Sequence, residues 1–141
     1  QGHNSRLDEM QAAFLAAKLP HLERMNVERR RIAQRYLEGI NNSEVILPYV
    51  NKKCVPVWHI FGVRCKRRQE LEAFLKLKGI STNKHYPIPI HMQECYKNLG
   101  FKKGDFPIAE EISATELSLP MYYGMTEEEI QYVIDRINEF I

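Results

Sequence analysis

The sequence predicts an α+β fold: a two-layer small domain with a largely antiparallel sheet of three or four strands, helices on one face, and two linking helices ahead of it. Three observations lead there. The first 40 residues repeat their apolar positions with a helical period and carry helix punctuation. Beyond them, short β-branched and aromatic runs alternate with helical ones in mixed order. The chain then closes on a helix with a complete start signal. The expected organisation is a helical linker region over 1–40 and a small α+β domain over 41–141.

Ser5 followed by Asp8 fits a capping box, in which the hydroxyl accepts a backbone N–H and the carboxylate reaches back. Leu7, Met10, Phe14 and Ala17 then form one stripe of an amphipathic helix, which Pro20 interrupts. A longer helix is expected over His21 to Gly39, with Leu22, Met25, Ile32, Tyr36 and Leu37 among many charges, stopped by Gly39 and Asn41-Asn42. From Ile46 to Cys65 the period changes: Val55, Val57, Trp58, Ile60, Phe61 and Val63 are strand formers.

Glu70 to Lys78 reads as helix, with Gly79 past its end. Ile80 to Tyr86 reads as a short strand running into the proline-stiffened HYPIPIH. A short helix is expected over His91 to Asn98, ended by Gly100, and another from Asp105-Phe106-Pro107 to Ala114. Glu116 to Leu119 reads as a strand. Thr126 and Glu129 form a capping box for the last helix, whose apolar face is Ile130, Val133, Ile134, Ile137 and Ile141.

A length of 141 residues suits one domain, and 44% hydrophobic with 27% charged residues is a globular balance. Twenty basic against 18 acidic residues, net +2, argue against a nucleic-acid or membrane-surface partner. The runs Glu28-Arg29-Arg30-Arg31 and Lys66-Arg67-Arg68 read as solvated helix faces. Cys54, Cys65 and Cys95 are odd in number, widely spaced and without a CxxC, which suits a reducing compartment. With no signal peptide and no membrane-length apolar run, the cytoplasm is the default expectation.

Glycine-rich phosphate loops and the GxSxG nucleophile turn do not occur. Asn4 and Arg6 could each donate to an anion, or serve as a helix-entry residue and a surface charge. The segment HYPIPIHMQ gathers His85, Tyr86, His91 and Gln93, a rigid loop able to line a polar ligand pocket or to satisfy its own backbone. His85, His91 and Cys95 match no common zinc spacing, so no metal is expected. His59, placed within a strand beside Trp58, reads as a packed histidine.

The opening GHNSRLDEMQAAFLAAKL resembles the G-x-N-x-R segment of the DegT/StrS family of nucleotide-sugar aminotransferases, pyridoxal-phosphate enzymes of the aspartate-aminotransferase fold type. ERRRIAQRYLEGI resembles the family's long linking helix. VWHIFGVRCKRRQELEAFLKLKGISTNKHYPIPIHMQ and GDFPIAEEISATELSLPMYYGMTEEEIQYVIDRINEF resemble its later stretches, in the family's order.

The resemblance implies an enzyme that takes an amino group from glutamate and delivers it to a keto sugar on a nucleotide diphosphate, as a homodimer. Such chemistry belongs to surface-polysaccharide (lipopolysaccharide) or antibiotic sugar biosynthesis. The lysine that anchors pyridoxal 5'-phosphate, and the acid that pairs its ring nitrogen, lie upstream of G-x-N-x-R in the family. The chain, which opens on Gln1, is therefore expected to be the C-terminal portion, with no catalytic residue of its own and no activity alone. The resemblance implies that Asn4 reaches the cofactor phosphate of the neighbouring subunit, with Arg6 near the same pocket. His85, Tyr86, His91 and, more weakly, Gln93 would border the nucleotide sugar. The loop resembles the branch acting on dTDP-linked 3-keto-6-deoxyhexoses. A related sugar dehydratase, or a stand-alone sugar-nucleotide-binding or regulatory module, are the alternatives.

Overall fold

The computed structural model describes residues 5–141, so Asn4 lies outside the described residues. Helix α1 (Glu9–Lys18) runs through a tight turn, Leu19–His21, into α2 (Leu22–Gly39). Strand β1 (Val45–Ile46) precedes β2 (Phe61–Cys65) and α3 (Arg68–Leu77). After a long loop come α4 (Pro107–Thr115), β3 (Glu116–Leu119) and α5 (Glu127–Asn138). The sheet order is β1-β2-β3 and both pairings are antiparallel, with Val45 opposite Cys65 and Val63 opposite Leu117. This is an α+β small domain with a three-stranded antiparallel sheet.

Alternation along β2 and β3 divides the sheet into two faces. Phe61, Val63, Cys65, Leu117 and Leu119 are buried in the core, together with Ile32, Ala33 and Tyr36 of α2, Leu71 and Leu75 of α3, and Ile130, Val133, Ile134 and Ile137 of α5. Each Val, Leu, Ile or Phe among them contributes roughly 1.5–3 kcal/mol by leaving water. Tyr36 spans this core: its ring meets Phe61 edge-on at 5.1 Å and its hydroxyl donates to the Pro120 carbonyl at 2.9 Å. Burial pushes its phenol well above the ordinary tyrosine range. Gly39 lets α2 touch α5, since a Cβ there would sit 2.8 Å from Ile134 Cδ1. The Thr126–Glu129 capping box is formed in both directions at the start of α5.

Several expectations are corrected. The cap of α1 is Asp8, whose carboxylate accepts the Gln11 N–H at 2.8 Å, and not Ser5. The stripe Leu7, Met10 and Phe14 is exposed, and α1 buries no residue. Between Ile46 and Phe61 the chain is a loop, with Val55 and Val57 exposed. Trp58 sits at φ +50°, outside extended geometry, so neither it nor His59 belongs to a strand. Ile80 to Tyr86 makes a single bridge, Asn83 to Ser118, in place of a strand. His91 to Asn98 forms two tight turns, Ile90–Met92 and Glu94–Leu99, in place of one helix. Ile141 is exposed and not on the packed face of α5.

The arginine run on α2 is no solvated face. Arg29 Nη1 donates to the carbonyls of Trp58, His59 and Met121 at 3.1–3.4 Å. Arg31 donates to the Met125 carbonyl at 3.1 Å and pairs with Glu127. Arg68, in the second run, donates to the Ser113 carbonyl at 2.6 Å. These cations hold loop carbonyls and, at Ser113, a carbonyl of the last turn of α4, groups that a regular ladder leaves over.

Candidate functional site

The second face of the sheet carries Gly62, Arg64, Glu116 and Ser118. A buried carboxylate and hydroxyl two positions apart on one strand face need partners. Gly62 makes room, because a Cβ there would approach Glu116 Oε1 to 2.9 Å. The bridge at Asn83 brings the following loop across this face: Ser118 N–H donates to the Asn83 carbonyl at 2.8 Å, and Asn83 N–H to the Ser118 carbonyl at 3.2 Å. Two residues on, the His85 N–H donates to Glu116 Oε2 at 2.8 Å and the His85 Nδ1 lies 2.8 Å from Ser118 Oγ. Ser118 Oγ also bonds Glu116 Oε1. Lys84 ties the loop to α3 through Glu72 at 2.7 Å.

Two cavities are lined by consecutive residues of this loop. A smaller one of about 250 Å³, of mixed lining, is bordered by His85 with His59, Thr82, Asn83, Ser118 and Met121 among others. An apolar one of about 660 Å³ is lined by Tyr86 with Ile88, Ile90, Tyr96, Phe101 and Phe106. Tyr86 is exposed and stands edge-on to the His85 ring at 5.5 Å. His91 and Gln93 also line the apolar cavity. His91 is largely buried and its Nε2 is held by Glu110 Oε1 at 3.0 Å, while Phe106 packs on its ring at 4.8 Å. The Gly104 N–H, at 2.7 Å, and then His91 hold the Glu110 carboxyl below the usual carboxylate range.

The structure therefore brings His85 and Tyr86 together on one loop, and Tyr86, His91 and Gln93 around one cavity. Arg6 is exposed at the entrance to α1, away from both cavity linings. Glu116, Ser118, Asn83 and Arg29 were not singled out by sequence reasoning. Glu116 and Ser118 lie far from His85 along the chain and come to it, with Asn83, through the pairing of β3, while Arg29 is revealed only by its bonds to loop carbonyls some 30 and 92 positions away. Among the described residues no cluster of His, Cys, Asp and Glu could hold a metal ion, and no helix is long and apolar enough to cross a membrane.

The domain is thus an antiparallel α+β unit with one face of its sheet in a core and the other under a loop of polar and aromatic side chains, beside two cavities. Residues 1–138 match the DegT/DnrJ/EryC1/StrS aminotransferase family, and the chain belongs to that family. It is 44% identical over 142 residues to a pleiotropic regulatory protein of Geobacillus stearothermophilus, covering 99% of this chain and 38% of that protein. It is 42% identical over 140 residues to the dTDP-3-amino-3,6-dideoxy-alpha-D-galactopyranose transaminase of Aneurinibacillus thermoaerophilus, again covering 99% and 38%. Among solved structures, S. venezuelae DesV in complex with a ketimine intermediate superposes with a TM-score of 0.93 at 40% identity, over 99% of this chain and 38% of that one. The chain thus spans about 38% of the length of these relatives, corresponding to their C-terminal part.

Proposed function

We propose that the protein carrying this chain is a pyridoxal-phosphate sugar aminotransferase, which moves an amino group from glutamate to a keto sugar on a nucleotide diphosphate. The observation that carries this reading is the pair His85 and Tyr86, presented on a pinned loop and lining a mixed and an apolar cavity in turn. The name of the Aneurinibacillus relative favours a dTDP-linked deoxyhexose as acceptor.

In this reading His85 and Tyr86 bind and orient the sugar. His91 acts through the Glu110 bond, which fixes the wall of the apolar cavity, and Gln93 offers an amide at its rim. Asn4 and Arg6 serve the cofactor phosphate in a homodimer, whose assembly would cover the apolar face of α1. The three unpaired thiols suit the cytoplasm.

Pyridoxal phosphate needs an amine to anchor it. Among the described residues no lysine lines either cavity, and Lys84 is committed to Glu72. The described residues do not fit the covalent anchor, so this chain binds and orients substrate and is inactive alone. Titrating the isolated chain with pyridoxal phosphate should give no stoichiometric lysine-linked absorbance band.

The activity is tested by incubating the full-length protein with glutamate and a panel of dTDP-, UDP- and GDP-linked 3-keto and 4-keto hexoses. Stoichiometric 2-oxoglutarate and an amino sugar from one of them are expected. Loss of water from the sugar instead would establish the dehydratase. Sugar-nucleotide binding without turnover would establish the regulatory module, which the name of the Geobacillus relative favours.

A further inference from the structure

The bonds around His85 leave its ring one consistent protonation pattern. A carboxylate only accepts, and a serine hydroxyl has a single proton. Glu116 Oε2 takes the His85 N–H at 2.8 Å, and Oε1 takes the Ser118 hydroxyl proton. With that proton committed, Ser118 Oγ can only accept from His85 Nδ1, 2.8 Å away, so Nδ1 carries a hydrogen. The far side of the ring agrees independently. Asn83 Oδ1 accepts the Lys84 N–H at 2.8 Å, which fixes the amide orientation and turns Nδ2, a donor, toward His85 Nε2 at 3.3 Å. A donor there requires a lone pair on Nε2. An imidazolium, or a ring protonated on Nε2, would set two donors against each other.

We propose that Glu116 and Ser118 are positioning residues that lock His85 in its Nδ1–H tautomer, so that Nε2 meets the nucleotide sugar as an acceptor for a hexose hydroxyl. This rests on the reading that the His85 loop faces a nucleotide sugar. It also narrows that reading. Diphosphate oxygens and a keto oxygen are acceptors, and neither can bond to a lone pair. The donors left on such a ligand are its hydroxyls and the base N–H, and the small cavity beside Nε2 suits a hexose hydroxyl. The bond from Asn83 is long and lies at the surface, where an incoming hydroxyl can replace it with a shorter one. The cavity beside it, about 250 Å³, is below the ~300–1,000 Å³ usual for a whole ligand and takes one edge of a hexose. Burial of Glu116 and Ser118 keeps water from competing for the relay.

Nitrogen-15 NMR of the full-length protein labelled at histidine tests the tautomer without any substitution, the His85 signals being assigned by their loss in His85→Gln. A protonated Nδ1 and an unprotonated Nε2 are expected. An Nε2–H tautomer, or equal mixing of the two, overturns the proposal. With the Asn83 amide also removed, the double variant Asn83→Ala/Ser118→Ala should release the ring to a mixture, while Asn83→Ala alone should keep Nδ1 protonated; a mixture already in Asn83→Ala, or no change in the double variant, overturns the relay. In turnover with the accepted dTDP-linked keto hexose, Ser118→Ala and Glu116→Gln should raise KM about tenfold, the loss of roughly one hydrogen bond, with inhibition by dTDP alone unchanged. Equal weakening toward dTDP would mean general damage to the site and would overturn the hydroxyl assignment. If no sugar is aminated at all, the aminotransferase reading fails while the NMR result still decides the relay.

Discussion

The two faces of one small sheet do different work, although β2 and β3 supply both. On one face Phe61, Val63, Leu117 and Leu119 enter a core sealed by α2, α3 and α5. On the other, one residue along each strand, Gly62, Glu116 and Ser118 meet a loop through hydrogen bonds. The apolar face is held by contacts that add up without direction. The polar face is held by a few directed bonds, each of which fails if one atom is moved. The fold should therefore be sensitive to volume on the first face and the site to donor identity on the second.

The largest expected effect breaks the apolar face. Phe61 is fully buried between Tyr36 and Trp58, each with its ring 5.1 Å away. Phe61→Ala should cost about 3–5 kcal/mol, lost transfer energy plus the cavity left behind. Urea denaturation measures this. A cost below about 1 kcal/mol would mean that the sheet does not organise the core as described.

Gly62→Ala probes the opposite face of the adjacent position. The new Cβ meets Glu116 Oε1, whose carboxylate is held by Ser118 and the His85 N–H. The expected stability cost is about 1–3 kcal/mol, typical of overpacking. Its distinctive sign is a changed His85 resonance, which Phe61→Ala should leave in place wherever the protein still folds. If both variants moved His85 alike, the two faces would not be separable.

How much of this was legible in the sequence follows the same division. Strand β3 is found at Glu116–Leu119 as read, and α5 has the capping box and four of the five face residues expected. Periodicity and caps are local signals, and they survive folding when a core covers the face. The stripe on α1 was equally regular, yet it is exposed, because a period specifies a face and not what covers it. Trp58 and His59 looked like a strand by residue type, but Arg29 draws both carbonyls aside. The loop bearing His85 and Tyr86 was legible through prolines and the family resemblance. Glu116 and Ser118 were read only as strand residues: their bonds to His85 cross 31 and 33 positions, and no local pattern encodes them.

A smaller effect sharpens how the core meets the site's edge. Tyr36→Phe removes the donor to the Pro120 carbonyl and should cost about 0.5–1.5 kcal/mol at neutral pH. Because burial raises the folded phenol above its unfolded value, the stability tied to its proton is fully present below the ordinary tyrosine pKa. It is lost as pH rises from there toward the raised value. Alkaline unfolding followed by circular dichroism should accordingly begin at higher pH in Tyr36→Phe than in the unaltered protein.

The smallest effect concerns the far wall of the apolar cavity. Glu110 holds the Gly104 N–H and His91 together, and its lowered folded pKa carries the opposite sign. Its contribution is present above the unfolded carboxylate pKa, about 4.3, and is lost as pH falls through the lowered folded value. Protection of the Gly104 amide, its exchange relative to the intrinsic rate at each pH, should fall in that acid window and should already be low at neutral pH in Glu110→Gln. Both changes should leave protection in β2 and β3 untouched, since neither sheet face depends on this carboxylate. A matched fall in the strands would show that the loop and the sheet open together, and the distinction between a volume-held face and a bond-held one would then fail at its weakest point.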